Sequence, residues 1–435
     1  MKRVLILTYY WPPAGGPGVQ RWLKFVKYLE GFGWKPYVLT VKDGTYSAVD
    51  RELEKEVPEG LQVFRTKSRD PFRFYNFLKG KKDGSVSVAL ININKERSFI
   101  DRLSMYIRSN FFIPDARKGW VPFAVKGALD ILESEHIDLL VTTGPPHSTH
   151  LAGLRISKKT EIPWLADLRD PWTTVYYNDM LPRTRRTKKT DKHMEDEVLR
   201  HADAVTVVSP GMKQEFLGRN ANTHVIMNGF DMEDMKVKDK KIRQDGKFRL
   251  TYTGNFKPNQ HIPVIWDALC ELMDEHQDFQ EDLILSFVGN LDASVPDYFS
   301  EKGRPDKLET IAYVPHAEVT GIMEAASVLL FVVPRSANNR LIITGKLFEY
   351  LASGSAILPI GPADGDAAAI LQEAGRERMF DYDDKQAIKE RVSELYRRWQ
   401  AGTLHACDTS MLTRYSRRTS AEKIAGIMNE IIGTP

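Results

Sequence analysis

Short runs of consecutive apolar residues alternate along the chain with stretches whose apolar positions recur at helical spacing. That is the pattern of a parallel sheet, buried on both faces and connected by crossover helices. In the first half the runs predict strands at Arg3–Thr8, Pro36–Val41, Asp138–Thr142, Trp164–Asp167, Ala204–Val208 and His224–Met227, with helices at Gln20–Gly31 and Val121–Glu135. From Arg65 to Arg97 the pattern gives way to an irregular polar tract, which reads as a long loop or a mobile insertion. The alternation then restarts. Strands are predicted at Phe248–Thr253, Leu283–Val288, Leu308–Ala312, Val328–Val332 and Ala356–Ile360. Helices are predicted at Ile262–Asp274, Ala317–Ala326, Lys346–Ala352, Asp366–Gln372, Lys385–Ala401 and Ser420–Ile432.

A chain of 435 residues that runs through this pattern twice predicts two βαβ domains rather than one core. Asn228-Gly229 is a turn signal, and the charged run that follows it to Lys247 cannot be core. The boundary is therefore placed there, giving domains 1–228 and 229–435. The last helix, about 415–435, is free by sequence to pack on either one. Two doubly wound domains in series predict a cleft between them, faced by the C-terminal ends of the strands.

Composition narrows the function classes. Hydrophobic residues make up 42% and charged residues 27%, and the net charge of +3 is too small to argue for nucleic acid. Cys270 and Cys407 are the only cysteines, with no CxxC, so neither a disulfide framework nor structural zinc is expected. The apolar run Val4–Leu7 is too short for a signal peptide or a membrane span, and no stretch approaches ~20 apolar residues. A cytoplasmic protein is the expectation.

Several segments carry candidate chemistry. The first strand leads into Trp11-Pro12-Pro13-Ala14-Gly15-Gly16-Pro17-Gly18 and then a helix, whose free N–H groups and positive dipole end suit a phosphate. A dinucleotide fingerprint fits poorly, because Arg21 stands where a third small residue belongs. Gly144-Pro145-Pro146-His147-Ser148-Thr149-His150 follows a strand and opens another helix. His147 suits a hydrogen bond to a sugar hydroxyl, while His150, on the same face, reads equally as a packing residue. No acidic or cysteine partner makes the two a metal site. Asp167-Leu168-Arg169-Asp170-Pro171-Trp172 places three charges at a strand end. They read either as a structural pair, Arg169 with Asp170, or as groups orienting an acceptor hydroxyl beside the apolar face of Trp172.

In the second half, Tyr252-Thr253-Gly254-Asn255 closes a strand with a glycine that lets a ligand approach the backbone. Thr344-Gly345 opens the helix carrying Lys346 and, one turn on, Glu349: donors and a cation for a diphosphate, and a carboxylate for two ribose hydroxyls. The alternative is a plain amphipathic helix with Leu347, Phe348 and Leu351 inward and Lys346, Glu349 and Tyr350 outward. The basic run Arg183–Lys189 reads as a solvated face or as a contact for anionic headgroups. Arg102, Arg108 and Phe111-Phe112 form a second basic-aromatic stretch.

Taken in order, Tyr-Trp-Pro-Pro…Gly-Gly, Gly-Pro-Pro-His-Ser-Thr-His, Asp-Leu-Arg-Asp-Pro-Trp, Asn-Gly-Phe-Asp, Tyr-Thr-Gly-Asn and Lys-Leu-Phe-Glu-Tyr-Leu-Ala-Ser-Gly resemble the family 4 retaining glycosyltransferases of the GT-B fold, in their bacterial branch for capsule, lipopolysaccharide and exopolysaccharide synthesis. The resemblance covers nearly the whole chain. It implies two Rossmann-like domains, with a nucleotide-diphosphate sugar of the UDP, GDP or ADP type on the C-terminal one and a glycan or lipid-linked acceptor on the N-terminal one. No metal or cofactor is implied, and neither is nucleic acid. The implied donor contacts are Gly15, Gly16, Gly254, Asn255, Lys257, Thr344, Gly345, Lys346 and Glu349. The implied acceptor contacts are Trp11, Arg169, Asp170 and Trp172, and the catalytic set is His147, Asp170 and Lys346. Glu349 matches the second glutamate of the family's E-x₇-E motif, but Leu341 stands in place of the first. The family's Arg…Lys clamp is also missing, leaving Lys257, Arg335 or Arg340 to substitute. A silent nucleotide- or glycan-binding protein, a sugar-nucleotide epimerase and a dehydrogenase are the rival readings.

Overall fold

The protein is described from a computed structural model that covers residues 1–46, 48–69, 99–235, 245–312, 314, 316–404 and 410–433. The chain divides into two compact units, Met1–Met227 with Arg418–Pro435 and Asn228–Arg417.

Unit 1 runs β1 (Lys2–Leu7), α1 (Pro17–Leu29), β2 (Trp34–Val41), β3 (Gln62–Thr66), α2 (Phe99–Phe111), α3 (Val121–Ser134), β4 (Leu139–Gly144), α4 (Ser148–Thr160), β5 (Trp164–Leu168), α5 (Arg185–His201), β6 (Ala204–Val207), α6 (Pro210–Phe216) and β7 (Thr223–Val225). Its strands form a seven-stranded parallel sheet in the order β3-β2-β1-β4-β5-β6-β7. Every residue of β4, β5 and β6 is buried, as a sheet covered on both faces requires. Alternate residues feed two cores: Leu5, Leu7 and Leu39 join one, Val4, Ile6 and Val38 the other.

Unit 2 runs β8 (Phe248–Thr253), α7 (Pro263–Glu275), α8 (Gln277–Asp282), β9 (Leu283–Val288), α9 (Ser294–Glu301), β10 (Leu308–Ile311), α10 (His316–Ala325), β11 (Val328–Val332), α11 (Gly345–Ser353), β12 (Ala356–Ile360), α12 (Asp366–Glu373) and α13 (Lys385–Gln400). Its five strands are parallel in the order β10-β9-β8-β11-β12, and Trp266, Phe256, Phe287 and Phe299 pack in its core. The last helix, α14 (Arg417–Ile431), returns to unit 1. Its residues Ile424, Ala425 and Met428 join the core of Val4, Ile6 and Trp22, and Asn429 Oδ1 accepts from Lys2 Nζ at 2.7 Å and Trp34 Nε1 at 3.0 Å. Where the chain enters and leaves unit 2, Arg417 N–H donates to the Phe230 carbonyl at 2.8 Å. A side chain on Gly229 would meet the Tyr415 carbonyl at 2.1 Å, which is why the Asn-Gly signal belongs there.

One sequence expectation needs correction here. Arg65 and Thr66 are not loop but the end of β3, paired with Thr40 and Val41. This edge strand carries only Val63 and Phe64 as apolar residues and is half exposed, so its pattern is faint. Most of that tract (70–97), most of the charged run (236–244) and Cys407 lie outside the described residues. The basic-aromatic stretch around Arg102–Phe112 is largely the helix α2, whose Leu103, Tyr106, Ile107 and Phe111 are exposed.

The interior of unit 1 is organised by one ion pair. Asp167, at the end of β5, accepts from Arg21 Nε and Nη2 at 3.1 and 2.9 Å, Trp22 Nε1 at 2.7 Å, Thr143 Oγ1 at 2.9 Å and Thr206 Oγ1 at 2.8 Å. Both charged side chains are 0% exposed. Burial alone would raise the Asp167 pKa, but the charge and hydrogen bonds of Arg21 and Trp22 hold it below the usual carboxylate range. Arg21→Met leaves that carboxylate uncompensated and is expected to cost about 3–5 kcal/mol of unfolding free energy in urea. Arg335→Met, which breaks an exposed pair with Asp383, should cost under about 1 kcal/mol. Equal effects would show that the buried pair does not organise the unit.

Candidate functional site

In unit 1 the loops after β1, β4 and β5 leave the same edge of the sheet, the carboxyl ends where α/β sheets bind ligands. Arg169 staples them. Its Nε donates to the Gly144 carbonyl at 3.1 Å, Nη1 to Gly18 at 2.7 Å and Nη2 to Pro145. A Cβ on Gly18 would come within 3.2 Å of Nη1, and one on Gly144 within 2.5 Å of His150 Nε2. These glycines therefore make room for protein side chains. Gly16 has φ +92° at the cap of α1, a conformation that glycine alone adopts readily, and the Gly15 N–H donates to Ala48 O at 2.9 Å.

His147 caps α4 without a side-chain hydrogen bond and is buried. Its ring stacks on Trp172, with centroids 5.0 Å and planes 9° apart, and neither ring nitrogen has a hydrogen-bond partner. Burial lowers its pKa to about 4 against the opposing pull of Glu195, with Arg169 adding to the depression. At neutral pH it is an uncharged imidazole with hydrogen-bonding capacity to spare. His150 Nδ1 lies 2.8 Å from Thr142 Oγ1, while its buried Nε2 is also unpartnered.

Other expected residues are placed differently. Trp11 is 1% exposed within the core of Val4, Ile6 and Trp22, so its ring faces protein. Trp172 is buried too and donates from Nε1 to Asp191 Oδ1 at 2.9 Å; it supports His147 rather than presenting an open face. Asp170 is exposed. The buried pair of this segment is Asp167 with Arg21, whereas Arg169 serves the backbone carbonyls. Arg183 leaves the basic run by pairing with Asp191 at 2.7 Å, both side chains nearly buried. One residue was missed. Asp115 is half-buried and accepts from Ser148 N and Oγ, each at 2.8 Å, capping the helix that carries His147. Burial raises its pKa against those bonds. It lies 33 residues from the helix it caps, so spacing offered no signal.

Unit 2 gathers Gly254, Lys346, Lys257 and Glu349. Gly254 has φ +93°, and a Cβ there would meet Lys346 Cε at 2.6 Å. Lys346 Nζ donates to Tyr252 Oη at 2.8 Å and sits 4.6 Å from that ring's centre. The chain of contacts continues, for Gln260 Nε2 donates to Tyr252 Oη at 3.1 Å and its Oε1 accepts from Lys257 N–H at 3.1 Å. Thr344 caps α11 without a side-chain bond, its buried Oγ1 is unpartnered, and space is open around Gly345. First-turn N–H groups of a helix have no intrahelical partner, so this terminus offers unsatisfied donors beside a cation. Asn255 is exposed, its Oδ1 accepting from Asn290 at 3.1 Å. Tyr350 is buried, contrary to the outward position of the plain amphipathic reading, because its hydroxyl accepts from Thr253 N–H at 2.9 Å. Arg335 and Arg340 already carry carboxylates, Asp383 at 2.7 Å and Asp364 at 2.9 Å. Of the three candidate substitutes for a clamp, Lys257 is the one whose charge Lys346 feels. Among the described residues no group of three or more His, Cys, Asp or Glu is arranged to hold a metal, and no helix is long and apolar enough to cross a membrane.

Residues 93–234 match the family model for Glycosyltransferase Family 4. The match takes in Asp115, His147 and Asp167–Trp172 and stops short of α11. No curated protein matches the chain. Among solved structures it is similar to sucrose-phosphate synthase from Thermosynechococcus elongatus, at 14% identity over 99% of this chain and 96% of that one, with TM-score 0.58. It is similar to WaaG, a glycosyltransferase involved in lipopolysaccharide biosynthesis, at 13% identity, 98% and 99% coverage and TM-score 0.56. It is also similar to S. aureus MnaA in a structure with UDP, at 13% identity, 100% and 99% coverage and TM-score 0.53. Identities this low speak to fold, and the fold is the two-domain, Rossmann-like GT-B class expected from the sequence.

Burial lowers the Lys346 pKa to about 8, Glu349 opposing and Lys257 adding to the shift. A diphosphate prefers the protonated amine, which the free protein loses as pH rises through about 8. Affinity for the best-bound of UDP, GDP and ADP, measured by calorimetry from pH 6 to 10, should therefore fall above about 8. In Lys346→Arg the fall should vanish, since arginine stays charged. A wild-type profile flat to pH 10 would contradict this.

Proposed function

We propose that the chain is a glycosyltransferase that takes a sugar from a nucleotide-diphosphate donor of the UDP, GDP or ADP type and transfers it, with retention, to a glycan or lipid-linked acceptor in cell-surface polysaccharide synthesis. The observation that carries this reading is the start of α11: an orphaned Thr344 hydroxyl, open donors at Gly345, Lys346 lying over Gly254, and Glu349 one turn on. That set fits a diphosphate followed by a ribose. As the bond from the sugar to the diphosphate breaks, negative charge grows on the leaving oxygen. Fixed N–H donors and a nearby ammonium stabilise that charge without reorganising. In unit 1, neutral His147 has a free nitrogen for a sugar hydroxyl, and exposed Asp170 is the group proposed to orient the acceptor. The family match over residues 93–234 and the UDP in the MnaA structure support the assignment. WaaG's place in lipopolysaccharide synthesis suggests the kind of acceptor.

A second reading is motivated by Leu341. It lies in the turn Asn339–Leu341 just before α11, where the resembling family has a carboxylate, and its loss suits a protein that binds nucleotide without turnover.

A panel of UDP-, GDP- and ADP-sugars assayed for donor hydrolysis separates the two readings. Turnover of one donor supports transfer, binding without turnover supports the silent protein, and neither binding nor turnover sinks both. With the active donor, Glu349→Ala should raise KM about 10- to 100-fold, the worth of hydrogen bonds to a charged group. His147→Ala should instead lower kcat with little change in KM. Unchanged kinetics in either variant removes that residue from the site.

A further inference from the structure

We infer that unit 2 holds a second binding site, for a small phosphate monoester, at the end of its sheet opposite the candidate donor site. A cavity of about 360 Å³ opens there, walled by three elements. Ala356 and Ile357 begin β12, Arg391, Leu395 and Arg398 lie along one face of α13, and Arg376 and Glu377 stand in the turn after α12. Gly375, with φ +63°, turns the chain there and delivers those two residues to the wall. In a parallel sheet all strands start at the same end. The start of β12 and the Gly254 turn, which follows the last residue of β8, are therefore at opposite ends.

Three guanidiniums line this cavity against one carboxylate, and all three arginines are half-buried. Arg391 Nη2 lies 2.6 Å from Glu377 and Nη1 2.7 Å from Glu394, yet its buried Nε has no hydrogen-bond partner among the described residues. Arg398, two turns along α13, is in no ion pair and no side-chain hydrogen bond among the described residues. Its neighbour Arg397 is exposed, as a residue that only offsets the helix C-terminus would be. Even with Glu394 counted, the cluster keeps a positive excess. Like charges gathered at the wall of a cavity are costly unless an anion joins them.

The wall also selects the kind of anion. Guanidinium forks match phosphate oxygens in pairs. A single phosphate ester carries about −1.5 to −2 at neutral pH, close to the two-charge excess of the lining residues, whereas a diphosphate overshoots it. The room is that of a small organic ligand rather than of a bare ion, and the rest of the wall, with Ala356, Ile357, Leu395 and Leu404, is apolar. A phosphate head with a compact organic body meets both requirements. Arg376 ties this cavity to the donor helix, because its Nη2 donates at 3.1 Å to the Leu351 carbonyl near the end of α11, the helix whose start carries Lys346 and Glu349. That is the placement of an effector rather than of a substrate.

Calorimetry on the full chain with glucose 6-phosphate, phenyl phosphate and inorganic phosphate tests this. At least one of the two monoesters should bind at one site per chain, about tenfold or more tighter than inorganic phosphate, through the body it buries. Arg398→Gln should weaken that binding about 10- to 100-fold, the worth of a charge-assisted hydrogen bond, with an unchanged circular dichroism spectrum. Arg398→Lys, which keeps the charge but not the fork, should fall between Arg398→Gln and the wild type. Lys346→Met, at the donor end of the sheet, should bind the monoester as the wild type does. Binding of neither monoester, equal binding of inorganic phosphate, or full retention in Arg398→Gln would overturn the inference. So would loss in Lys346→Met, which would put the monoester at the donor site. None of these outcomes depends on nucleotide binding or donor turnover, so failure here and failure of the glycosyltransferase reading are distinguishable.

Discussion

A carboxylate cut off from water must be answered by the protein, and in unit 1 Asp167 is answered from several elements at once. Arg21 and Trp22 come from α1, Thr143 from β4 and Thr206 from β6. Each partner fixes the lateral position of its element against β5, so the strand ends share one register. Arg169, two residues on, repeats the logic with opposite sign: a half-buried guanidinium satisfied by the carbonyls of Gly18 at the start of α1, Gly144 at the end of β4 and Pro145 just after it. The loops around His147 are shaped by these two charges. The same pair explains why the glycine-rich start of α1 departs from a dinucleotide fingerprint, since Arg21 occupies the place of a small residue and is needed where it is.

Burial tunes the candidate groups differently in the two units. In unit 1 it keeps His147 neutral and leaves its nitrogens unsatisfied, a cost of the kind that a bound hydroxyl would relieve. In unit 2 it lowers the Lys346 pKa to about 8, so the amine is still mostly charged at neutral pH but its charge responds to whatever sits beside it. Asp115, Trp172 and Tyr252 are positioning residues in these arrangements: one caps the His147 helix, one stacks on the imidazole, one holds the lysine.

Most of the fold was legible because parallel strands buried on both faces are continuous apolar runs. Phe248–Thr253, Leu283–Val288, Val328–Val332 and Ala356–Ile360 end where those runs end. Two elements escaped for different reasons. β3 is half wet and lacks the contrast on which periodicity relies, whereas α2 has apolar residues at helical spacing but turns Leu103, Tyr106, Ile107 and Phe111 to solvent, so its pattern does not mark a core. At the candidate site, residue types at strand ends were visible but their partners were not. Arg169 and Asp170 are adjacent in sequence, yet the bonds of Arg169 run to Gly18 and Gly144, and the pair of Asp167 comes from 146 residues away. Trp11 and Trp172 looked like surfaces for a ligand because burial of a loop aromatic depends on contacts that no local pattern reports.

The central claim is that the start of α11 and the Gly254 turn hold a nucleotide diphosphate. Amide hydrogen exchange with and without UDP, GDP and ADP addresses it most directly. One nucleotide should slow exchange at 253–255 and at 345–348. Protection confined to the glycine-rich start of α1, or absent with every nucleotide, would contradict the account.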